Sequence, residues 1–375
     1  MIYWDNNATT PVAEEVLEAM LPYLQGSFFN PSAAYGPAKR VRLAMDEARE
    51  RVATLLGVHP GEIIFTSGGT ESTNTALAQF RRTLCPATEH PATLRTIGAD
   101  PCPVQRNGTV DPDEWAARLP GHDGASFALA NHETGVLQDA ARLAEEAQRA
   151  GARVHLDIVQ AAGKMPLNLR ELPVEFASVS AHKLHGPKGI GALYVRCGTD
   201  YQPTVTGGSQ EDRRRAGTEN VPGIIGFGKA AELALQAADR YAALAGLRDA
   251  FEEALRQNPA LPRPVINGEG APRLPHVSNL RFPGIPAQSL TLLLEPAGLL
   301  CSAGSACTSA EPRPSHVLRA MGLSDTEARE SLRFSLNRFC THNEVEEAVR
   351  LVTDAVQRVQ AAQSASTGPV LVYRP

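Results

Sequence analysis

Phe176-Ala-Ser-Val-Ser-Ala-His182-Lys183-Leu-His-Gly186-Pro-Lys188-Gly-Ile-Gly191-Ala-Leu-Tyr-Val195 is the stretch on which the fold turns. An apolar run breaks into a polar knot, Ser180 to Lys183, and crosses a turn punctuated by Gly186, Pro187, Gly189 and Gly191. A second apolar run follows from Ile190 to Val195. The pattern reads as two strands joined by a tight reversal. Lysine is scarce: it stands at 39, 164, 183, 188 and 229 only, against a Lys+Arg total of 36. A guanidinium is never a free amine in water, whereas a lysine can form a Schiff base once burial or neighbouring charge lowers its pKa. Lys183, at a strand end beside a histidine and a rigid turn, is therefore either a surface turn lysine or an amine placed for covalent chemistry.

Two other segments weigh toward chemistry. Val154-His-Leu-Asp157-Ile158 is a short strand pattern with an acid at its carboxyl end. Glu62-Ile-Ile-Phe65-Thr-Ser67-Gly68-Gly69-Thr70-Glu71-Ser72 reads as a strand, a glycine turn and the start of a helix. Such a turn offers unpaired backbone N–H groups and a positive dipole end to an anion. A lysine for an imine, an aspartate for a pyridinium nitrogen and a helix N-terminus for a phosphate are the three handles of pyridoxal 5′-phosphate.

The rest of the chain is consistent with an enzyme of α/β class. With 375 residues, 43% of them hydrophobic, it can bury one large core and a smaller one. A net charge of −5 argues against nucleic acid or an anionic membrane as partner. No run of about eighteen apolar residues predicts a membrane span. The opening Ile2-Tyr3-Trp4-Asp5 does not read as a signal peptide. Six cysteines (85, 102, 197, 301, 307 and 340), none in a CxxC pair, fit a reducing cytoplasm. Helices are expected over 12–24, 38–56, 71–80, 112–118, 139–150, 230–256, 286–296 and 343–361. Strands are expected over 62–66, 126–130, 153–157, 175–180, 190–195, 264–267 and 276–282. The alternation implies a parallel or mixed sheet covered by helices, with function at the carboxyl ends of the strands.

Asp5-Asn-Asn-Ala-Thr-Thr-Pro11, Ser67-Gly-Gly-Thr-Glu-Ser72, Glu89-His90, His155-Leu-Asp157-Ile-Val-Gln160, Ser180-Ala-His-Lys183, Arg215-Ala-Gly-Thr218-Glu-Asn220, Gly304-Ser-Ala-Cys307-Thr-Ser309 and Arg333-Phe-Ser335 occur in one order along the chain. In this order and spacing the chain resembles the pyridoxal-phosphate-dependent cysteine desulfurases, from about Tyr3 to about Glu347. The resemblance implies an aminotransferase-like fold of type I, with a large sheet domain over 12–236. A smaller α+β domain, built from 1–11 and 237–375, would carry the cysteine loop at about 301–314. It implies that Lys183 holds the cofactor, that Asp157 keeps the pyridine nitrogen protonated and that Gln160 reaches the phenolic oxygen. His90, otherwise an ordinary loop histidine, would stack on the ring and shuttle protons. Gly69, Thr70, Ser180 and His182 would contact the phosphate, with Thr218 supplied by the partner subunit of a homodimer. Arg333, which could equally be a salt bridge of the small domain, would clamp the substrate carboxylate in bidentate fashion.

Two positions depart from the family. In Asn131-His132-Glu133-Thr134-Gly135 a histidine stands where the family has asparagine, and the resemblance places His132 on the cofactor's phenolic oxygen. Tyr35 replaces the family's usual histidine. Cys307 lies among small residues and prolines that offer too little bulk to bury it, so an exposed, mobile thiol is expected there, while Cys301 is expected to be a packed thiol. The implied reaction takes sulfur from L-cysteine, leaving L-alanine and a persulfide on Cys307. That sulfur would pass to an acceptor protein for iron–sulfur cluster assembly or thiolation. The Gly-Ser-Ala-Cys form of the loop resembles the housekeeping and nitrogen-fixation branch. An aminotransferase or selenocysteine lyase on the same fold, and a non-catalytic scaffold, are the rival readings.

Overall fold

The computed structural model describes residues 1–304 and 314–366. A two-residue strand, β1 (Ile2–Tyr3), precedes the helices α1 (Glu14–Leu24) and α2 (Gly36–Leu56). On α2 the buried Val41, Met45, Ala48, Val52 and Leu55 recur at helical spacing and form its inner face. Gly57, at φ 68°, ends the helix by returning its N–H to the carbonyls of Ala53 and Thr54. Strands and helices then alternate: β2 (Ile63–Thr66), α3 (Gly69–Leu77), β3 (Thr83–Pro86), α4 (Pro91–Leu94), β4 (Ala99–Cys102), α5 (Pro112–Arg118), β5 (Gly124–Ala128), α6 (Ala140–Arg149), β6 (Arg153–Asp157), β7 (Phe176–Ser180) and β8 (Gly191–Val195). The remainder runs α7 (Val221–Gln236), α8 (Ala238–Gln257), β9 (Val265–Ile266), β10 (Val277–Arg281), α9 (Ala287–Ala297), β11 (Leu299–Leu300), β12 (Ser302–Ala303), α10 (His316–Ala320), α11 (Asp325–Arg329), β13 (Ser331–Ser335) and α12 (His342–Ser366).

Among the described residues, seven strands form one sheet in the order β2-β8-β7-β6-β5-β3-β4. Only β8 runs against its neighbours; the other strands share one direction. The sheet is thus mixed, and the stretch from Phe176 to Val195 supplies its antiparallel pair, β7 and β8. Their residues are all buried, as expected of strands covered on both faces. Gly191 is required there by a close approach: a Cβ on it would sit 2.7 Å from the Cα of Gly68. That contact seats the glycine turn before α3 directly on β8. A second sheet, β12-β13-β10-β9, is antiparallel, and β1 pairs in parallel with β11.

Among the described residues two large hydrophobic cores result, beside smaller clusters such as that of Ile64, Leu77, Phe80, Phe176 and Leu193. The larger lies between the seven-stranded sheet and α1, α2, α6 and α7. The smaller is centred on Trp4, Phe251 and Phe334, whose rings meet edge to face, with Trp4 and Phe251 5.0 Å apart. No helix among the described residues is long and apolar enough to cross a membrane.

The structure differs from the sequence expectation in several places, and α4, α10, α11, β11, β12 and β13 are among the elements that no pattern predicts. β3 and β4 were not expected. Ala99-Asp-Pro-Cys102 has no alternation and contains Pro101, which a strand tolerates only at an edge, where β4 lies. β5 begins at Gly124 rather than at 126. The long Ala-Leu pattern expected as one helix over 230–256 is two helices broken at Ala237. The first begins at Val221, because Asn220 caps it by accepting from Gly223 N at 3.1 Å and Pro222 follows in the first turn. An alanine at the break leaves no sign in the sequence.

Candidate active site

Five strands that run in one direction end at the same edge of the large sheet, and each delivers site residues at or just past its last residue. From β2 come Gly69 and Thr70, from β3 His90, from β5 His132, from β6 Asp157 and Gln160, and from β7 Ser180, His182 and Lys183. All of them line one cavity of about 270 Å³, and Arg333 closes it from β13. The fold therefore brings these ten residues together around one cavity.

Lys183 follows β7 in a turn held by the N-terminal segment. Its Nζ donates to the carbonyl of Ala8 at 2.8 Å and to that of Asn7. Thr10 fastens the same turn, donating from its Oγ1 to the His182 carbonyl at 2.9 Å and accepting from His185 N at 2.8 Å. His182 Nδ1 meets Thr9 Oγ1 at 3.0 Å. Asn7 joins the site without a local sequence signature of its own. Its carbonyl also accepts from Gln160 Nε2 at 3.0 Å, its side chain donates to the His132 carbonyl at 3.2 Å, and its Oδ1 lies 3.0 Å from His276 Nε2. Backbone acceptors carry no residue identity, so only the quoted Asn-Asn pair could have pointed to it. Lys164 also lacks a local signature. It is buried and donates to Gln160 Oε1 at 3.1 Å, which fixes the orientation of that amide.

Burial sets the charge states around the cavity. His90 and His182 are both pushed down to about 4, first by desolvation and then by the positive Lys183. His132 lies well below the ordinary imidazole value for the same first reason, with His90, Arg333 and His316 adding to it. All three rings are therefore neutral near pH 7. His90 Nδ1 accepts from Ala92 N at 3.1 Å, so its proton is on Nε2. The ring centroids of His90 and His132 lie 5.6 Å apart at a steep angle. The carboxyl of Asp157 is raised to about 6 by burial, against the pull of Val159 N, from which it accepts at 2.8 Å, and of Lys183. Glu89, which accepts from Ala128 N at 2.9 Å, is raised well above the carboxylate range by burial. Burial likewise lowers Lys164 well below the ordinary lysine value.

Arg333 is buried. NH1 donates to the His132 carbonyl at 2.9 Å, NH2 to Asp5 Oδ1 at 2.5 Å, and Nε has no partner among the described residues. Thr218 is exposed and lies outside this cavity. It lines a second one of about 210 Å³ with Ser67 and Arg215. Tyr35 is exposed at the N-cap of α2, its ring 6.0 Å from that of Phe29. Cys301 packs against the smaller core, and burial pushes its thiol up to about 12, the behaviour expected of a packed cysteine. Cys307 lies outside the described residues.

The sequence pattern of the class-V aminotransferases matches residues 2–348. The chain is 41% identical to the cysteine desulfurase of Trichormus azollae over 96% of its own length and 94% of that protein's. It is 39% identical to the cysteine desulfurase NifS of Azotobacter vinelandii, over 98% and 96% of the two chains. The solved structure of a NifS-like protein from Rickettsia africae superposes with a TM-score of 0.87 at 29% identity, covering 95% of this chain and 99% of that one. The order of strands, the lysine after β7 and these full-length likenesses agree, and the chain belongs to the class-V aminotransferase family and, within it, to the cysteine desulfurases.

Proposed function

We propose that the chain takes sulfur from L-cysteine, releasing L-alanine and leaving a persulfide on Cys307, with pyridoxal 5′-phosphate held in the cavity below Arg333. The observation that carries this reading is the convergence of Lys183, Asp157 and the N-terminus of α3 on one cavity at the sheet edge.

The residues present fit that cofactor. The first N–H groups of α3 have no partner within the helix, and Gly69 lets them reach the cavity: a Cβ there would meet Val159 Cγ2 at 2.8 Å. Ser180 and His182 lie beside this turn, so Gly69, Thr70, Ser180 and His182 are read as the phosphate contacts. Asp157 would face the pyridine nitrogen, Gln160 and His132 the phenolic oxygen, and His90 the ring. Lys183 Nζ would be the point of attachment. When bound, the cofactor supplies an electron sink conjugated to the substrate amine, which makes the substrate's Cα–H bond breakable.

The chain's own groups do the rest. Arg333, oriented by Asp5, receives the substrate carboxylate and so aims the Cα–H bond at Lys183. Lys183 Nζ takes up that proton and hands it on. His90, neutral with its proton on Nε2, can give a proton into the cavity and recover it. Cys307, as thiolate, attacks the substrate sulfur; the new S–S bond forms as the Cβ–S bond breaks. The carbon is then protonated, so that L-cysteine and a thiol become L-alanine and a persulfide.

The division into a large domain over 12–236 and a small one from 1–11 and 237–375 belongs to the same reading and is supported by the two separate cores. So does a homodimer in which Thr218, remote from its own chain's cavity, completes the phosphate site of the partner. A protein acceptor in the cytoplasm, for iron–sulfur assembly or thiolation, would then take the sulfur. Cys307→Ser tests the reaction. The variant should bind cofactor and change its absorbance on addition of L-cysteine, yet release no alanine above background. Alanine and sulfide at the parent rate would establish a lyase in which Cys307 is incidental.

A further inference from the structure

Beside the cavity lie two buried polar atoms that face each other. His132 Nε2 and Glu133 Oε1 are 3.7 Å apart, a few tenths of an ångström beyond hydrogen-bond reach, and among the described residues neither has a partner. We propose that Glu133 is a positioning residue: its carboxyl O–H donates to His132 Nε2, fixes the ring as its Nδ1–H tautomer and thereby presents an N–H donor to the cavity.

The backbone holds the pair together from both sides. Asn131 Oδ1 accepts from the N–H groups of Glu133 and Thr134 at 2.9 and 3.0 Å. The His132 carbonyl is held by Arg333 and Asn7, and the Glu133 carbonyl accepts from Asn279 Nδ2 at 3.1 Å. The other carboxyl oxygen, Oε2, lies 2.5 Å from Ser315 Oγ. The Ser315 contact thus anchors one carboxyl oxygen while the other, Oε1, stays 3.7 Å from the ring nitrogen. A small closure satisfies both orphaned atoms at once, and a buried polar group left unpaired is costly.

Three placements of the protons compete. An imidazolium–carboxylate pair is opposed first by burial, which disfavours a positive ring, and then by the positive Arg333 and Lys183. A neutral ring donating from Nε2 to a carboxylate requires an ionised Glu133, and burial raises that carboxyl more strongly than Ser315, His316 and Arg333 lower it. The neutral acid and neutral ring remain, with the shared proton on Glu133. The histidine then offers what the amide of an asparagine would offer, a fixed N–H, without carrying charge. Its use toward the phenolic oxygen rests on the cofactor reading above; the tautomer itself does not.

Histidine-specific ¹⁵N labelling of the full chain, with and without cofactor, reads the tautomer directly. His132 is assigned by the signal lost in His132→Asn. The Nδ1–H form should be in roughly fivefold excess or more, the ratio given by one typical net hydrogen bond. Glu133→Gln, whose amide N–H replaces the carboxyl donor, should retain it, and Glu133→Leu should lose it. An Nε2–H signal in the parent chain, or an unchanged Nδ1–H excess in Glu133→Leu, would overturn the assignment. If Glu133→Leu does not fold, the parent chain and Glu133→Gln still decide. Because the measurement is made without cofactor as well, its failure is separate from failure of the cofactor reading.

Discussion

Lys183 Nζ donates to the carbonyl of Ala8 at 2.8 Å, so the reactive amine is held by the backbone of the N-terminal segment, 175 residues away along the chain. The segment that carries Asp5, Asn7 and Thr10 therefore acts as a strap across the turn after β7. It orients the amine through two backbone carbonyls, those of Asn7 and Ala8.

Lys164 is the competitor for imine chemistry, because burial lowers its pKa and favours the reactive neutral amine. Its Nζ, however, is spent on Gln160 and it does not line the cavity. Borohydride reduction of the loaded protein followed by peptide mapping should therefore place the pyridoxyl group on Lys183 alone. A label on Lys164 or Lys188 would remove Lys183 from its role.

Gly69→Ala places a Cβ 2.8 Å from Val159 Cγ2, and a β-branched side chain has little freedom to withdraw. The first turn of α3 must shift. Losing one N–H contact to an anion costs about 1.5–3 kcal/mol, so cofactor should bind roughly ten- to a hundredfold more weakly. Val159→Ala in the same chain should restore much of that affinity. Equilibrium titration with pyridoxal 5′-phosphate checks both, and a Gly69→Ala chain with parent affinity would show that the phosphate lies elsewhere.

The handles legible in the sequence are those with a local signature. Lys183, Asp157 and Gly69 each follow a short apolar run directly, so strand, turn and functional group are read from one window of a few residues. His132 was legible only as a departure from a resemblance. Its pairing with Glu133 depends on burial, which is a tertiary property. Asn7 acts largely through its carbonyl, which any residue could supply. Edge strand β4 and the break at Ala237 had no signal because neighbours across the sheet and between the helices decide them.

The buried histidines make the apoprotein acid-labile. His90, His132, His155, His182, His185 and His276 are all lowered, first by desolvation. Below the unfolded value near 6.5 the unfolded chain takes up these protons and the folded chain does not, so stability falls as pH falls. Glu89, Glu133 and Asp157, raised by burial, act in the opposite sense above about 4.5. Six imidazoles outweigh three carboxyls, and stability should rise with pH between about 4.5 and 6.5. Urea midpoints across that range give the slope, and a flat or falling profile would mean that these rings are solvated.

Arg333 is placed to test whether the guanidinium serves substrate or only structure. NH2 is committed to Asp5 and NH1 to the His132 carbonyl, yet the side chain forms the wall of the cavity, and each terminal nitrogen has a second hydrogen to offer. Arg333→Lys keeps a positive charge but loses the planar fork, so one ammonium must choose between Asp5 and a substrate carboxylate. With a charged hydrogen bond of about 1.5–3 kcal/mol at stake, KM for L-cysteine should rise roughly ten- to a hundredfold while the cofactor stays bound. Asp5→Asn keeps an acceptor for NH2 and removes the carboxylate, so its KM should change far less. Measured together, KM and the thermal midpoint separate the two roles. A lowered midpoint with parent KM in Arg333→Lys would leave Arg333 as a salt bridge between the N-terminal segment and β13, and the substrate carboxylate would need another partner.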